Sequence, residues 1–284
     1  MSEKQPNVPV DPAARFAFGA NWARFLSDLS EERIAAAEAS LVEMLGKESL
    51  KGLTFLDVGS GSGLFSLAAR RLGASVRSFD FDQQSVNCTV ELRRRYFPND
   101  PDWTVDRASA LDQEFMNSLG KYDVVYSWGV LHHTGAMWLG IELAAKRVRD
   151  DGLLYLAIYN DQGWWSRVWW LIKFVYLRVP ALLKPTYAYA LWYAIVWLNV
   201  VKYTLLLRPM VALRPLLSEK PRRGMSQKHD IVDWMGGFPF EFVRYDVLVA
   251  YLQALNFKVV RGNANHGIGC HEVVLKRAIE VSVA

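Results

Sequence analysis

The residues best suited to chemistry stand in one short run, Asp57-Val-Gly59-Ser-Gly61-Ser-Gly63, between an apolar stretch LTFLDV (53–58) and a helical pattern from Leu64 to Leu72. Glycines at alternate positions let a backbone turn tightly and come close to a ligand, and a helix that starts there offers unbonded N–H groups. Gly59, Gly61 and Gly63 are therefore read as cofactor-binding. A Gly-rich turn by itself also suits a dinucleotide site. Here the spacing is not G-x-G-x-x-G, and Asp57 stands two residues before the first glycine, where a pyrophosphate is repelled and a cationic group is not. A second acid, Asp80, follows the next apolar run, SVRSF (75–79), where a carboxylate can bind both hydroxyls of a ribose.

Those details favour S-adenosylmethionine, and four motifs in order resemble the class I S-adenosylmethionine-dependent methyltransferases, nearest in style to those of quinone biosynthesis. LDVGSGSG (56–63) is similar to the family's first motif, SFDFD (78–82) to its second, ASALD (108–112) to the loop after the third strand and YSWGVLHHT (126–134) to the fourth. The resemblance covers about Leu53 to Tyr159 and, more loosely, the C-terminal end. It implies Asp80 on the ribose and Phe81 against the adenine, with Ser109 and Ala110 near the adenine amino group. It further implies Ser127, Trp128 and Gly129 along the cofactor, with His132 or His133 facing the reaction centre.

Methyl transfer is an in-line displacement, so the protein mainly aligns the acceptor and excludes water. An oxygen or nitrogen acceptor can also need a base, most often His or a carboxylate. His132 is one candidate. A second is the pair His229 and Asp233 in SQKHDIVDW (226–234), which a helix would put on one face with the carboxylate orienting the imidazole. The following GGFPFE (236–241) would place Glu241 at the rim, and His266 and His271 read as structural. Two candidate ligands without a third do not make a metal site, so no metal is expected.

The elements that must hold these residues alternate. A helix begins after Ser30, an N-cap followed by Glu31 and Glu32, carries apolar residues from Ile34 to Leu45 at helical spacing and stops at Gly46. Strands are expected at 53–58, 75–79, 103–107, 122–127 and 153–159. Helices are expected at 64–72, 83–96 and 137–148, with Asp151-Gly152 as a turn. A helix near Tyr245–Leu255 and two strands, FKVVRG (257–262) and HEVVLK (271–276), close the chain. The expected fold is α/β, a Rossmann-like doubly wound, mainly parallel sheet with an antiparallel C-terminal hairpin, an N-terminal helical lid and a helical insertion after strand five. The expected divisions are 1–50 (arm and lid), 51–160 (cofactor-binding core), 161–238 (insertion) and 239–284 (completion of the core).

The insertion has its own composition. Residues 161–223 hold six of the chain's 11 tryptophans, and Gly163 to Arg223 hold ten Lys/Arg against one acid, Glu219. Its longest uncharged run, Pro185 to Val201, is 17 residues and includes Pro, Asn and three Tyr, short of a spanning helix. It reads as a helical cap, a homodimer face or a helix lying on a membrane surface. Most of its aromatics lie within Leu/Val/Ile runs and are expected to be buried, which argues against nucleic acid as a partner. A net charge of +4 demands no polyanion, and two cysteines, Cys88 and Cys270, form no disulfide framework. The polar N-terminal arm has no apolar signal core, which favours the cytoplasm, with peripheral membrane contact compatible.

The expected function is therefore methyl transfer to a small lipophilic or aromatic acceptor, most readily at oxygen. The alternatives are a methyltransferase acting on RNA or protein, an NAD-dependent dehydrogenase, and a non-catalytic membrane- or partner-binding protein with a vestigial cofactor site.

Overall fold

A computed structural model describes residues 26, 29–205 and 236–278. The N-terminal arm up to residue 25, and both His229 and Asp233, lie outside the described residues.

Helix α1 (Glu31–Leu45) starts and stops where the sequence says. The Ser30 hydroxyl accepts from the Arg33 N–H, and Gly46 closes the last turn at φ 65°. Its apolar face, Ile34, Ala37, Leu41 and Leu45, is buried. Then follow β1 (Thr54–Val58), α2 (Leu64–Arg71), β2 (Ser75–Asp80), α3 (Gln83–Tyr96), β3 (Trp103–Arg107), α4 (Gln113–Ser118), β4 (Tyr122–Trp128), α5 (Met137–Ala145) and β5 (Val148–Tyr159). Helices α6 (Trp164–Arg178) and α7 (Lys184–Leu205) form the insertion, and α8 (Tyr245–Ala254), β6 (Phe257–Asn263) and β7 (Cys270–Arg277) complete the fold.

The seven strands lie in the order β3-β2-β1-β4-β5-β7-β6. The first five are parallel, and β7 runs antiparallel to both β5 and β6. Successive side chains alternate between two cores. Phe55, Val76, Tyr126 and Tyr155 meet α1, α2 and α3 on one face, while Leu56, Val58, Leu154 and Leu156 meet α4, α5 and α8 on the other. The strand order reverses between β1 and β4, and a doubly wound sheet opens its ligand crevice at that point, beyond the carboxyl ends of the strands. The Gly-rich run leaves β1 there.

Three boundaries differ from expectation. Strand β5 begins at Val148, five residues early, and Arg149 to Gly152, which pair with neither neighbouring strand, make a turn within it before the pairing resumes at Leu153. Asp151 takes φ 65°, and the β4–β5 register slips between Tyr122 and Val124. The pair is thus the expected turn, set as a bulge between the first pairing at Val148 and the rest of β5, and the preceding helix ends at Ala145. Helix α4 has too few residues for periodicity to reveal it; Asp112 caps it by accepting from the Phe115 N–H, and Met116 anchors it in the core.

In the insertion, Pro180 separates α6 from α7 through a single tight turn at Ala181–Leu183. Trp169 of α6 packs with Phe238 and Phe240, so the helix roofs the segment that returns to the end of β5. That segment is tied to the sheet by the Val243 N–H to the Tyr159 carbonyl (3.0 Å) and the Asp161 N–H to the Val243 carbonyl (3.1 Å). No helix among the described residues is long and apolar enough to cross a membrane.

Candidate active site

The β1–α2 turn is held in place from two sides. The N–H groups of Gly59 and Ser60 both donate to the Phe79 carbonyl (2.9 and 3.0 Å), and the Gly61 N–H donates to Asp80 Oδ2 (2.9 Å). Glycine is needed at two positions for space as well as conformation. At Gly59 (φ 82°) a Cβ would stand 2.4 Å from a Val130 methyl, so the turn touches the loop after β4 directly. At Gly63 (φ 82°) a Cβ would stand 2.8 Å from Thr89 Cα, so this glycine lets α2 approach α3.

Asp80 accepts from Gly61 on one oxygen and from the Asp82 N–H (2.9 Å) on the other, leaving lone pairs on both oxygens for hydroxyl donors. Burial raises its pKa to about 6 despite those bonds. Phe81, next to it, is 49% exposed, an apolar plane at the mouth of the crevice. Gly129 (φ 76°) has nothing within 4 Å of where a side chain would begin, so open space lies beside the loop after β4. Trp128 is fixed by its indole N–H on Glu272 (2.7 Å).

Other candidate positions hold the walls. Ser127 is fully buried and donates to the Val58 carbonyl (3.0 Å), joining β4 to β1. Ser109 accepts from the Leu111 N–H (3.1 Å) and shapes the loop after β3, and Ala110 faces the core. Asp57 lies beneath the turn at 1% exposure. Its carboxylate accepts from Ser66, which is 2.7 Å from Ser78, which accepts from the Trp103 indole N–H at 3.0 Å. Since Ser66 spends its one proton on Asp57, the hydrogen bonds run in one direction, from Trp103 through Ser78 and Ser66 to the carboxylate. Burial raises the Asp57 pKa to about 7, and the Asp80 charge adds to the rise. This chain of side chains has no signature in the sequence, because its members come from four elements.

At the ends of β4 and β5 a second cluster forms. The loop after β4 makes a tight turn, Leu131–His133, that sets His132 edge-on to His133 (centroids 4.4 Å) and tilted against Tyr159 (4.0 Å). His132 is completely buried, and among the described residues neither ring nitrogen has a hydrogen-bond partner in good geometry; the Ala157 backbone favours the protonated ring. Burial first, then the neighbouring His133 and Lys173, hold its pKa well below the usual histidine range. His133 Nδ1 lies 2.6 Å from the Pro239 carbonyl, so Nδ1 carries the proton and Nε2 is the acceptor nitrogen. Burial and Lys173 lower its pKa to about 3.

Lys173, on α6 of the insertion, is the member of this cluster that the sequence did not reveal. It is fully buried, with its ammonium 4.9 Å from the Phe240 ring centre and 5.6 Å from that of Tyr159. Burial lowers its pKa to about 7, against a small opposing effect of Cys270. A helical period of apolar residues gives no hint that one long cationic side chain points inward. Glu241 caps α5 from beside the cluster, with its own N–H on the His132 carbonyl (2.9 Å). Its carboxylate accepts from the N–H groups of Gly135 (2.9 Å) and Met137 (3.1 Å) at the start of α5. Burial raises its pKa to about 7. His271 is buried between the Asn265 N–H and the Val243 carbonyl, a structural role.

Residues 25–188 match the family described as "Methyltransferase domain". The chain belongs to the class I S-adenosylmethionine-dependent methyltransferases. A ubiquinone biosynthesis O-methyltransferase of Rhizobium etli is 29% identical over 111 residues, 39% of this chain and 43% of that one. A ribosomal protein L11 methyltransferase of Dictyoglomus thermophilum is 26% identical over 148 residues, 45% of this chain and 47% of that one. The chain thus spans less than half the length of these two curated relatives. In fold it is similar to magnesium protoporphyrin IX methyltransferase from Synechocystis, at a TM-score of 0.54 and 14% identity, covering 91% of this chain and 94% of that one.

The crevice fits the cofactor of this family on its own features. It has a glycine turn with its amides at a helix start, a carboxylate with lone pairs to spare for a ribose, an exposed ring beside it and open space at Gly129. Among the described residues no three His, Cys, Asp or Glu side chains gather as a metal-holding group.

Proposed function

We propose that the chain transfers a methyl group from S-adenosylmethionine to an oxygen of a small lipophilic or aromatic acceptor. The observation that carries this is the meeting of the Gly59–Gly63 turn, Asp80 and the Gly129–Val130 loop at the strand-order reversal, with the aromatic, buried His132–His133–Tyr159–Lys173 cluster beside it. When bound, the cofactor supplies a sulfonium-activated methyl group.

In this reading Asp80 would hold the ribose hydroxyls and Phe81 would cover the adenine, with Ser109 and Ala110 shaping the adenine edge. Gly129 and Trp128 would line the channel, and Ser127 would hold that wall to β1. Asp57 would act from below the turn, as a charge felt by the amino end of the cofactor. The wall formed by Tyr159, Phe240 and α6 would exclude water from the acceptor and select an apolar body.

Proton handling belongs to the same cluster. His132 was the first candidate, yet complete burial, with Lys173 nearby, makes it a poor proton acceptor. His133 is better directed, because the Pro239 carbonyl leaves Nε2 as its acceptor nitrogen, suited to orienting an acceptor hydroxyl. Its low pKa suits a hydrogen-bond acceptor more than a full base. His229 and Asp233 remain proposed contributors from outside the described residues.

An oxygen acceptor is supported by the distant ubiquinone O-methyltransferase relatives, and a lipophilic one by the apolar insertion. The test is transfer of radiolabelled methyl from the cofactor to a panel of alkylated phenols, the matching anilines and a ribosomal protein extract. Label in an ether product supports the reading. Label only in protein or only on nitrogen overturns the acceptor assignment.

A further inference from the structure

Helices α6 and α7 break the rule that the outward face of a surface helix is polar. On α6 the outward stripe is Trp164, Leu171 and Val175, at helical spacing, with Trp164 63% exposed. On α7 it is Tyr189, Tyr193, Trp197 and Leu198, with Tyr193 at 68% and Trp197 at 64%. The turn between the helices adds Leu182 and Leu183, the first 88% exposed. Arg167 and Arg178 share the α6 stripe, and Lys202 lies one turn beyond Leu198 on α7. Arg178 stacks over Phe174 at 3.5 Å, and Lys202 lies 5.5 Å from the Tyr203 ring centre, so apolar body and cationic tip alternate along the face.

Charge decides what this face fits. In sequence, Gly163 to Arg223 hold ten Lys/Arg and one acid, whereas the rest of the chain holds 23 and 28. Five of the ten lie outside the described residues and Lys173 is buried, which leaves Arg167, Arg178, Lys184 and Lys202 as the cations of the described hairpin, with no acid between them in sequence. A second copy meeting the same face across a two-fold axis would bring these cations against their own copies, with no acid between Asp161 and Glu219 to pair with them. A spanning arrangement needs a longer apolar helix than the described residues contain. A single-stranded nucleic acid would use stacking rings, and leave Leu171, Val175, Leu182 and Leu198 without a use.

We propose that the α6–α7 hairpin lies in the plane of an anionic lipid surface. Its aliphatic side chains enter the acyl boundary, its Trp and Tyr rings lie at headgroup depth and its cations meet lipid phosphates. The acidic remainder of the molecule is repelled by the same surface, which orients the hairpin toward lipid. This inference does not rest on methyl transfer. It would bring the Lys173–Tyr159 end of the crevice, which α6 covers, next to the phase where an apolar acceptor dissolves.

The test is co-sedimentation of the full chain with vesicles of phosphatidylcholine alone and with about a third phosphatidylglycerol. The expected result is at least about tenfold tighter binding to the anionic vesicles, weakened severalfold in high salt. Tyr193→Ser with Trp197→Ser, and separately Arg178→Glu with Lys202→Glu, should each reduce binding about tenfold, while S-adenosylhomocysteine affinity, read by calorimetry, stays unchanged. Equal binding to both vesicles, or anionic binding that neither variant weakens, overturns the proposal. So does a dimer by light scattering that the same variants dissociate, or binding to single-stranded RNA without binding to vesicles. Vesicle binding without S-adenosylhomocysteine binding would keep this inference and remove the proposed function.

Discussion

Gly63→Ala is the sharpest probe of the turn. Gly63 has φ 82°, and a Cβ there would meet Thr89 Cα at 2.8 Å and Thr89 Oγ1 at 2.9 Å. The left-handed conformation costs an alanine about 1–2 kcal/mol. The clash is with a backbone atom, so α3 has to move as a body, and overpacking of this kind costs about 1–3 kcal/mol. Restricting the unfolded chain returns roughly 0.4–1 kcal/mol. The expected loss is therefore about 1–4.6 kcal/mol, centred near 3. Gly46→Ala is the internal control, since Gly46 also has positive φ (65°) but nothing within 4 Å of its Cβ direction. It should lose only about 1 kcal/mol or less. Urea unfolding followed by circular dichroism gives both numbers, provided the slope is unchanged between variants. The Gly63 variant should also bind S-adenosylhomocysteine at least about tenfold more weakly, because the displaced turn carries the Gly61 amide. Losses within about 0.5 kcal/mol of each other would refute the close α2–α3 approach as the reason for this glycine.

Other substitutions test the buried charges. Lys173→Met should stabilise the fold at and below neutral pH. The folded pKa of about 7 lies below the usual 10.5, so the cost of burying the ammonium is fully present below pH 7 and disappears above about 10.5. The gain should reach at most about 4–5 kcal/mol at pH 6 and shrink toward zero by pH 10, read from paired urea titrations. Asp57 has the opposite sign. Its pKa rises from 3.8 to about 7, so the wild-type fold loses stability as pH climbs through that window, and Asp57→Asn should flatten the slope between pH 4 and 7. At pH 8 the same variant should lower cofactor affinity, since the charge beneath the turn is gone. Asp80→Asn keeps one acceptor oxygen for two amides and offers no charge to a ribose. Calorimetry should show S-adenosylhomocysteine affinity falling about tenfold or more, with unfolding free energy changed by only about 1 kcal/mol.

Much of the core was legible because local signals agreed with the fold. Ser30 and Gly46 bracket α1, α3 and β3 fall at the residues their periodicity marks, and the C-terminal runs pair as an antiparallel hairpin. The turn glycines and Asp80 were legible as a group because their spacing encodes a backbone shape. Asp151-Gly152 was legible as a turn, but the single pairing at Val148 before it was not, because it depends on Tyr122 of a neighbouring strand. The cluster at the end of β5 was only half legible. His132 and His133 announce themselves by type, but Lys173 reaches them from a helix 40 residues later, and nothing local marks it as inward-facing. Glu241 was expected only at the rim; that its carboxylate caps α5 was not legible, because the partners are backbone amides over 100 residues away in sequence.

The most direct test of the central claim is calorimetric titration of the full chain with S-adenosylmethionine and S-adenosylhomocysteine, with NAD in parallel. The crevice geometry predicts saturable, roughly micromolar binding of the first two and none of NAD. No binding of either sulfur nucleoside, or binding of NAD alone, would contradict the account and leave the fold without its proposed chemistry.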